Sequence, residues 1–177
     1  MAMTLITTNT SSDAATSDFT TGIDNTYKLY IFKFIDLNPA TDRQDWSFQG
    51  SIDGGSNYNV AMTSTAFRTS HSEADDYTDL SYQTGMDQAQ GTAFNLLTDD
   101  IGNGGDESGA GELYLFNPSN TTYVKHWYCT MVFLNGYDLA LQQFSAGYFN
   151  DTNDIDAIQF KFASGNFDGT IKMYGVG

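Results

Sequence analysis

Two acidic clusters are the residues of this chain best equipped for chemistry. Asp99 and Asp100, followed by Asn103, Asp106 and Glu107, form the first; Asp151 and Asp154, within residues 150–156 (NDTNDID), form the second. Clustered carboxylate and amide oxygens are what Ca²⁺ takes as ligands. Neither cluster follows the D-x-[DN]-x-[DN]-G spacing of an EF-hand loop. In a chain with 22 acidic residues such groupings arise by coincidence. The favoured reading is therefore two solvated loops, weak Ca²⁺ candidates at most, and no metal is assigned.

Nucleophilic chemistry has no better footing. No Gly-x-Ser-x-Gly elbow is present, and His71 and His126 have no neighbours that mark a triad. Cys129 follows His126 by three positions, and on one strand an odd separation puts the two on opposite faces. The lone Cys129 cannot form an intramolecular disulfide, and no Cys/His grouping suits zinc. It reads as a packed, inert thiol. Glycoside hydrolysis needs two carboxylates at a set separation, and 22 acids single out no pair. No catalytic residue and no cofactor follow, so a non-enzymatic protein is expected. Trp46, Trp127 and the tyrosines would suit stacking on sugar rings. Large aromatics at alternate strand positions are more often core, which leaves a carbohydrate platform as the lesser reading.

The elements that must position these residues are strands. In the closing run, 158–177 (IQFKFASGNFDGTIKMYGVG), Ile158, Phe160 and Phe162 alternate with Gln159, Lys161 and Ala163. Further on, Ile171 and Met173 alternate with Thr170, Lys172 and Tyr174. Period-two alternation marks a sheet with one buried face, and the Ser-Gly-Asn-Phe-Asp-Gly between the runs suits a hairpin loop. Upstream, residues 4–10 read as a strand or extended arm and 14–19 as a second short extended piece. Residues 27–36 read as a central strand, broken at Asn38-Pro39. Residues 46–52 read as a half-buried strand that Asp53-Gly54-Gly55 turns into a strand over 58–64, with 67–71 extending or following it. Residues 71–82 read as a polar surface loop, 86–97 as one short helix or an irregular packed segment, and 102–111 as a flexible acidic loop. Strands are expected at 112–116, 125–134, 143–148 and 155–162. The expected fold is all-β: a single-domain, jelly-roll-like β-sandwich of roughly nine or ten strands with at most one short helix. Residues 1–19 would be an N-terminal arm or first strand, and 20–177 the sandwich.

Charge and composition narrow the partners. The 177 residues suffice for one core, and 13 Phe, 11 Tyr and 17 Gly against 2 Pro fit a sandwich. A net charge of −15 opposes binding to nucleic acid. No apolar run approaches the ~20 residues that cross a bilayer, so no membrane partner is expected. Residues 1–9 carry no Lys or Arg, which argues against a signal peptide. Lys28, Lys33, Lys125, Lys161 and Lys172 all fall in predicted strands, where lysine commonly guards an edge.

Five segments carry a family resemblance: DFTTGIDNTYKLYIFKFIDLNPATD, DQAQGTAFNLL, GNGGDESGAGELYLFNPSNTTYVKH, SAGYFN and the closing IQFKFASGNFDGTIKMYGVG. In this order, from about Thr4 onward, the chain resembles a group of small β-rich virion structural proteins of tailed marine phages, cyanophages included. The resemblance implies a virion-associated structural protein, made in the host cytoplasm. It brings no catalytic motif and leaves head and tail open. The acidic charge argues against lining a DNA-filled interior and for the external surface. A capsid decoration (cement or knob) protein is the leading expectation. The alternative is a tail or tail-fibre component acting as a host-surface, carbohydrate-binding adhesin. Expected partners are other virion proteins (the major capsid protein, or tail and fibre proteins) and further copies of this chain, with a glycan as the ligand of the alternative.

Overall fold

The structure is a computed structural model that describes residues 2–177. Those residues form twelve strands and no helix: β1 (Met3–Ala14), β2 (Ser17–Phe19), β3 (Leu29–Pro39), β4 (Trp46–Ser51), β5 (Met62–Ser72), β6 (Thr78–Tyr82), β7 (Asn95–Leu96), β8 (Gly109–Phe116), β9 (Lys125–Asn135), β10 (Leu139–Phe149), β11 (Ala157–Phe162) and β12 (Phe167–Val176). They build an all-β sandwich of unequal sheets. The large sheet has the order β1-β12-β3-β8-β9-β10-β5-β6, the small one β2-β11-β4-β7, and every pairing is antiparallel.

The alternating residues explain the packing. Tyr30, Phe32 and Phe34 on β3, Trp127 and Met131 on β9, and Ile171 and Met173 on β12 are buried and meet the small sheet. Phe160 of β11 sits at the centre, with rings of Phe32 and Phe34 at 5.3 and 5.1 Å from the large sheet. Phe19, Trp46 and Phe48 lie at 6.1, 5.9 and 6.2 Å within its own sheet. Phe48 meets Trp127 across the sandwich at 4.8 Å, edge to face. Such aromatic pairs add to the area they bury.

Strand partners differ from the local reading in two places. The closing run is not a hairpin: β11 lies in the small sheet and β12 in the large one. Residues 163–166 cross between them, held by hydrogen bonds from Ala163 N to Asp45 O and from Ala40 N to Asn166 O, with Gly165 at φ 75°. Likewise β4 and β5 belong to different sheets, and residues 58–61 are not a strand. Alternation tells which side chains face the core; both sheets share that core, so it does not tell them apart.

Other departures follow from tertiary contacts. β3 runs past Asp36 and ends at Pro39: Asp36, at φ 53°, forms a bulge, and pairing with β12 resumes as Asn38 faces Asp168 and Pro39 faces Phe167. β4 is buried on both faces rather than one. Its outward Gln49 donates through Nε2 to Val60 O, Thr92 O and Ala93 O, which straps the crossing segments over the small sheet. Residues 78–82 are a strand, β6, within the expected loop. The 86–97 segment is irregular and ends in the two-residue β7, not a helix. β6 and β7 account for the excess over ten strands. No strand lysine guards an edge: Lys33, Lys125, Lys161 and Lys172 lie on β3, β9, β11 and β12, all internal, and Lys28 directly precedes β3. The N-terminal segment completes both sheets, β1 pairing with β12 and β2 with β11.

Candidate functional site

The first acidic cluster is divided by the fold. Asp99 and Asp100 converge with Asp45, the residue before β4, so that one carboxylate oxygen of each lies within 4.8 Å of the others. Local spacing carried no sign of Asp45, since the cluster joins positions more than fifty residues apart. Asp45 Oδ1 accepts the Asp100 N–H at 2.9 Å, and Asp99 is bound by the Arg68 guanidinium from β5. Burial, then the neighbouring carboxylates, pushes the Asp45 carboxyl up; burial and then Asp99 do the same for Asp100. Arg68 and the backbone thus already hold two of the three carboxylates, locking the 99–100 loop against β5. Asp106 is exposed. Glu107 turns back on its own loop, its carboxylate accepting the Gly104 N–H and its carbonyl accepting Asn38 Nδ2 at 2.7 Å.

The second cluster surrounds a lysine. Lys125, fully buried at the start of β9, donates through Nζ to the Asp151 carbonyl at 3.0 Å. Burial lowers its pKa, and the Asp151 and Asp154 charges oppose that shift. Asp151 Oδ1 also accepts Asn153 N at 2.8 Å and Asn153 Nδ2 at 2.9 Å, closing an Asx turn. These acids anchor the loop over Lys125. Asp156 receives the Gly54 N–H at 3.0 Å.

The nucleophile candidates stay apart. Cys129 is buried, and burial raises its thiol pKa well above the usual range; His126 is exposed on the other face of the same strand. His71 lies on the surface with its Nε2 3.2 Å from Asp75 Oδ1. Trp46 and Trp127 are core residues and offer no platform.

A surface that local reading missed is the outer face of the large sheet. β8, β9, β10 and β5 turn Tyr114, Phe116, Tyr128, Val132, Phe144 and Phe67 outward, and β6 adds Leu80 and Tyr82. Tyr128, Phe67, Val132 and Leu80 are 40%, 45%, 48% and 69% exposed. Cross-strand stacking orders the rings: Tyr114 on Tyr128 at 4.5 Å and Phe67 on Phe144 at 4.9 Å, both nearly parallel. Among the described residues, Glu112 is the single carboxylate at an outward position of these five strands. Both its oxygens are engaged, by Lys33 Nζ at 3.2 Å and by the Tyr114 hydroxyl at 2.9 Å. Burial, and then Glu112, raises the Tyr114 pKa to about 12. Two shallow hollows mark the face. One of about 620 Å³ is lined by Thr69, His71, Ala110, Val132 and Gln142, and another of about 440 Å³ by Thr63, Phe116, His126, Tyr128 and Tyr148. Exposed apolar side chains gathered on one sheet face make it a candidate docking surface.

The signal for this face was present as the second set of alternating residues in each strand. It was masked on β9 and β10 because Trp127, Phe133 and Phe149 put aromatics on the inward set as well. No protein-family model matches the chain, and none of the curated proteins is similar to it.

Proposed function

We propose that this protein is a non-enzymatic structural component of the outer surface of a tailed-phage virion. In this reading it is a capsid decoration (cement or knob) protein that docks on the shell through the outer face of its large sheet. The carrying observation is that face: in a chain with 22 acidic residues, its outward strand positions hold one carboxylate, already paired, among aromatic side chains. Such a surface can be desolvated against a protein partner without burying free charge. The acidic remainder suits an external position and opposes contact with packaged nucleic acid. The family resemblance of the sequence supports a virion-associated structural protein, and the charge supports the external position.

Reconstruction of the intact virion tests the proposal. Density for this fold is expected on the head exterior, with Phe67 and Tyr128 turned to the shell. Replacing both (F67S/Y128S) is expected to weaken binding to undecorated heads at least about tenfold, in line with losing two buried aromatics. Absence of the chain from the particle would overturn the reading.

A tail or fibre adhesin is the second reading, favoured by the hollow beside Tyr128 and Tyr148, whose rings stand at a sheet surface as sugar-stacking residues do. Density at the tail, with glycan binding lost in Y128A, would select it instead.

A further inference from the structure

We propose that two copies of this chain associate by antiparallel pairing of their β1 strands, continuing the eight-stranded sheet across a two-fold axis. The two sheets have four edges. Three are short: β2 has three residues, β7 two and β6 five, while β1 has twelve. Natural sheets blunt long edges with lysine, proline, inward charges or strong bulges, because an unpaired row of N–H and C=O groups templates another strand. β1 carries none of the residue-based guards: from Met3 to Ser12 it contains no charged residue and no proline. It holds four threonines, which favour extended backbone. Its register shifts lie between Leu5 and Thr7 and between Ser11 and Ala14, so Thr7–Ser11 pairs without interruption along β12 and leaves a straight free edge.

That edge opens on a groove of about 560 Å³ lined by Thr8, Thr10, Ser12, Thr16 and Asp18. Polar lining of this type accepts a backbone more readily than an apolar helix face. The strand that fits is β1 itself. Two chains of net charge −15 repel one another over most of their surfaces, but at β1 they meet through ten uncharged residues. An antiparallel strand pair is also isologous, so each copy supplies donors and acceptors to the other. This contact lies at the sheet edge, apart from the outer face proposed to meet the shell.

Sedimentation of the full-length protein over a range of concentrations tests the proposal, together with L5K/T10K, which places charge at two exposed β1 positions. The wild type is expected to dimerise, and the dimer of the lysine variant to be at least about tenfold weaker. Amide exchange of the wild type at low and high concentration reads the same contact without mutation: amides in Thr7–Ser11 are expected to slow as concentration rises. A wild type that stays monomeric, or protection that rises only elsewhere, would overturn the proposal. So would a dimer that persists in folded L5K/T10K and is dispersed instead by F67S/Y128S. Failure of shell binding by F67S/Y128S, with the dimer intact, would concern the attachment face alone.

Discussion

Asp45, Asp99 and Asp100 show how one packing decision rewrites the chemistry of single residues. In solution each would be an ordinary carboxylate; brought together and partly buried, Asp45 and Asp100 hold their protons to higher pH than usual. Between the ordinary value of 3.8 and the raised one the folded state binds more protons than the unfolded chain. Stability therefore falls as pH rises through that window, and the penalty is in full force at neutrality. D45N keeps the oxygen that accepts the Asp100 N–H and removes the charge. It is expected to stabilise the fold at neutral pH by on the order of 1 kcal/mol, read as a higher unfolding midpoint, the gain vanishing below the ordinary carboxylate pKa. Thermal melts at neutral and acid pH would check this, and a lower midpoint at neutral pH would sink it. Asp53 has the opposite sign. The Asn57 side chain, then the Ser51 hydroxyl, lowers it to about 2, so its contribution is in place above the ordinary 3.8 and is lost as pH falls from there through about 2.

At the scale of elements, β1 serves the sheet before it serves any partner. It pairs with β12 from Met3 to Ala14, and Ile6 packs against the core, with its Cγ2 under Gly22. Removing residues 1–13 strips this ladder and exposes β12, whose Ile171 and Met173 are buried core. The truncated protein is expected to melt roughly 10 °C or more below the full chain, since each kcal/mol moves the midpoint by a few degrees at this size. Calorimetry of the two forms decides the point. A truncation with an unchanged melting temperature would make residues 1–13 an appendage rather than a strand of the fold. The twelve-residue β1 and the residues of β2 that follow it also show why the first nineteen residues read ambiguously. Threonine- and serine-rich strands carry little apolar alternation, and an edge strand needs little.

The whole molecule is a thick aromatic core between acidic loops, and its response to alkali follows from that. Burial raises the pKa of Tyr30 at the core edge, and burial with Glu112 raises that of Tyr114 to about 12. Above about pH 10 the unfolded chain loses these protons while the folded chain keeps them. Stability therefore falls as pH rises from the ordinary tyrosine pKa of 10.0 toward about 12. Denaturant midpoints measured across that range are expected to decline as tyrosinate absorbance appears on unfolding. Midpoints that hold steady, with tyrosinate forming in the native state, would show that the rings titrate freely.

Much of this architecture was legible along the chain. Alternation placed Ile158, Phe160, Phe162, Ile171 and Met173 inside, and odd spacing separated His126 from Cys129, because a strand's side-chain period is a property of its own backbone. Composition sufficed for the all-β class, as β-branched and aromatic residues with turn glycines leave few alternatives. Only tertiary structure assigned β11 and β12 to different sheets, joined Asp45 to Asp99, buried Lys125 beneath Asp151 and turned both faces of β4 inward. Each of those depends on where a loop returns the chain, and local pattern does not encode the partner that long-range closure selects. The same closure set sheet sizes of eight and four. A two-layer sandwich covers each sheet on one face only, which leaves the aromatic outer face of the large sheet exposed.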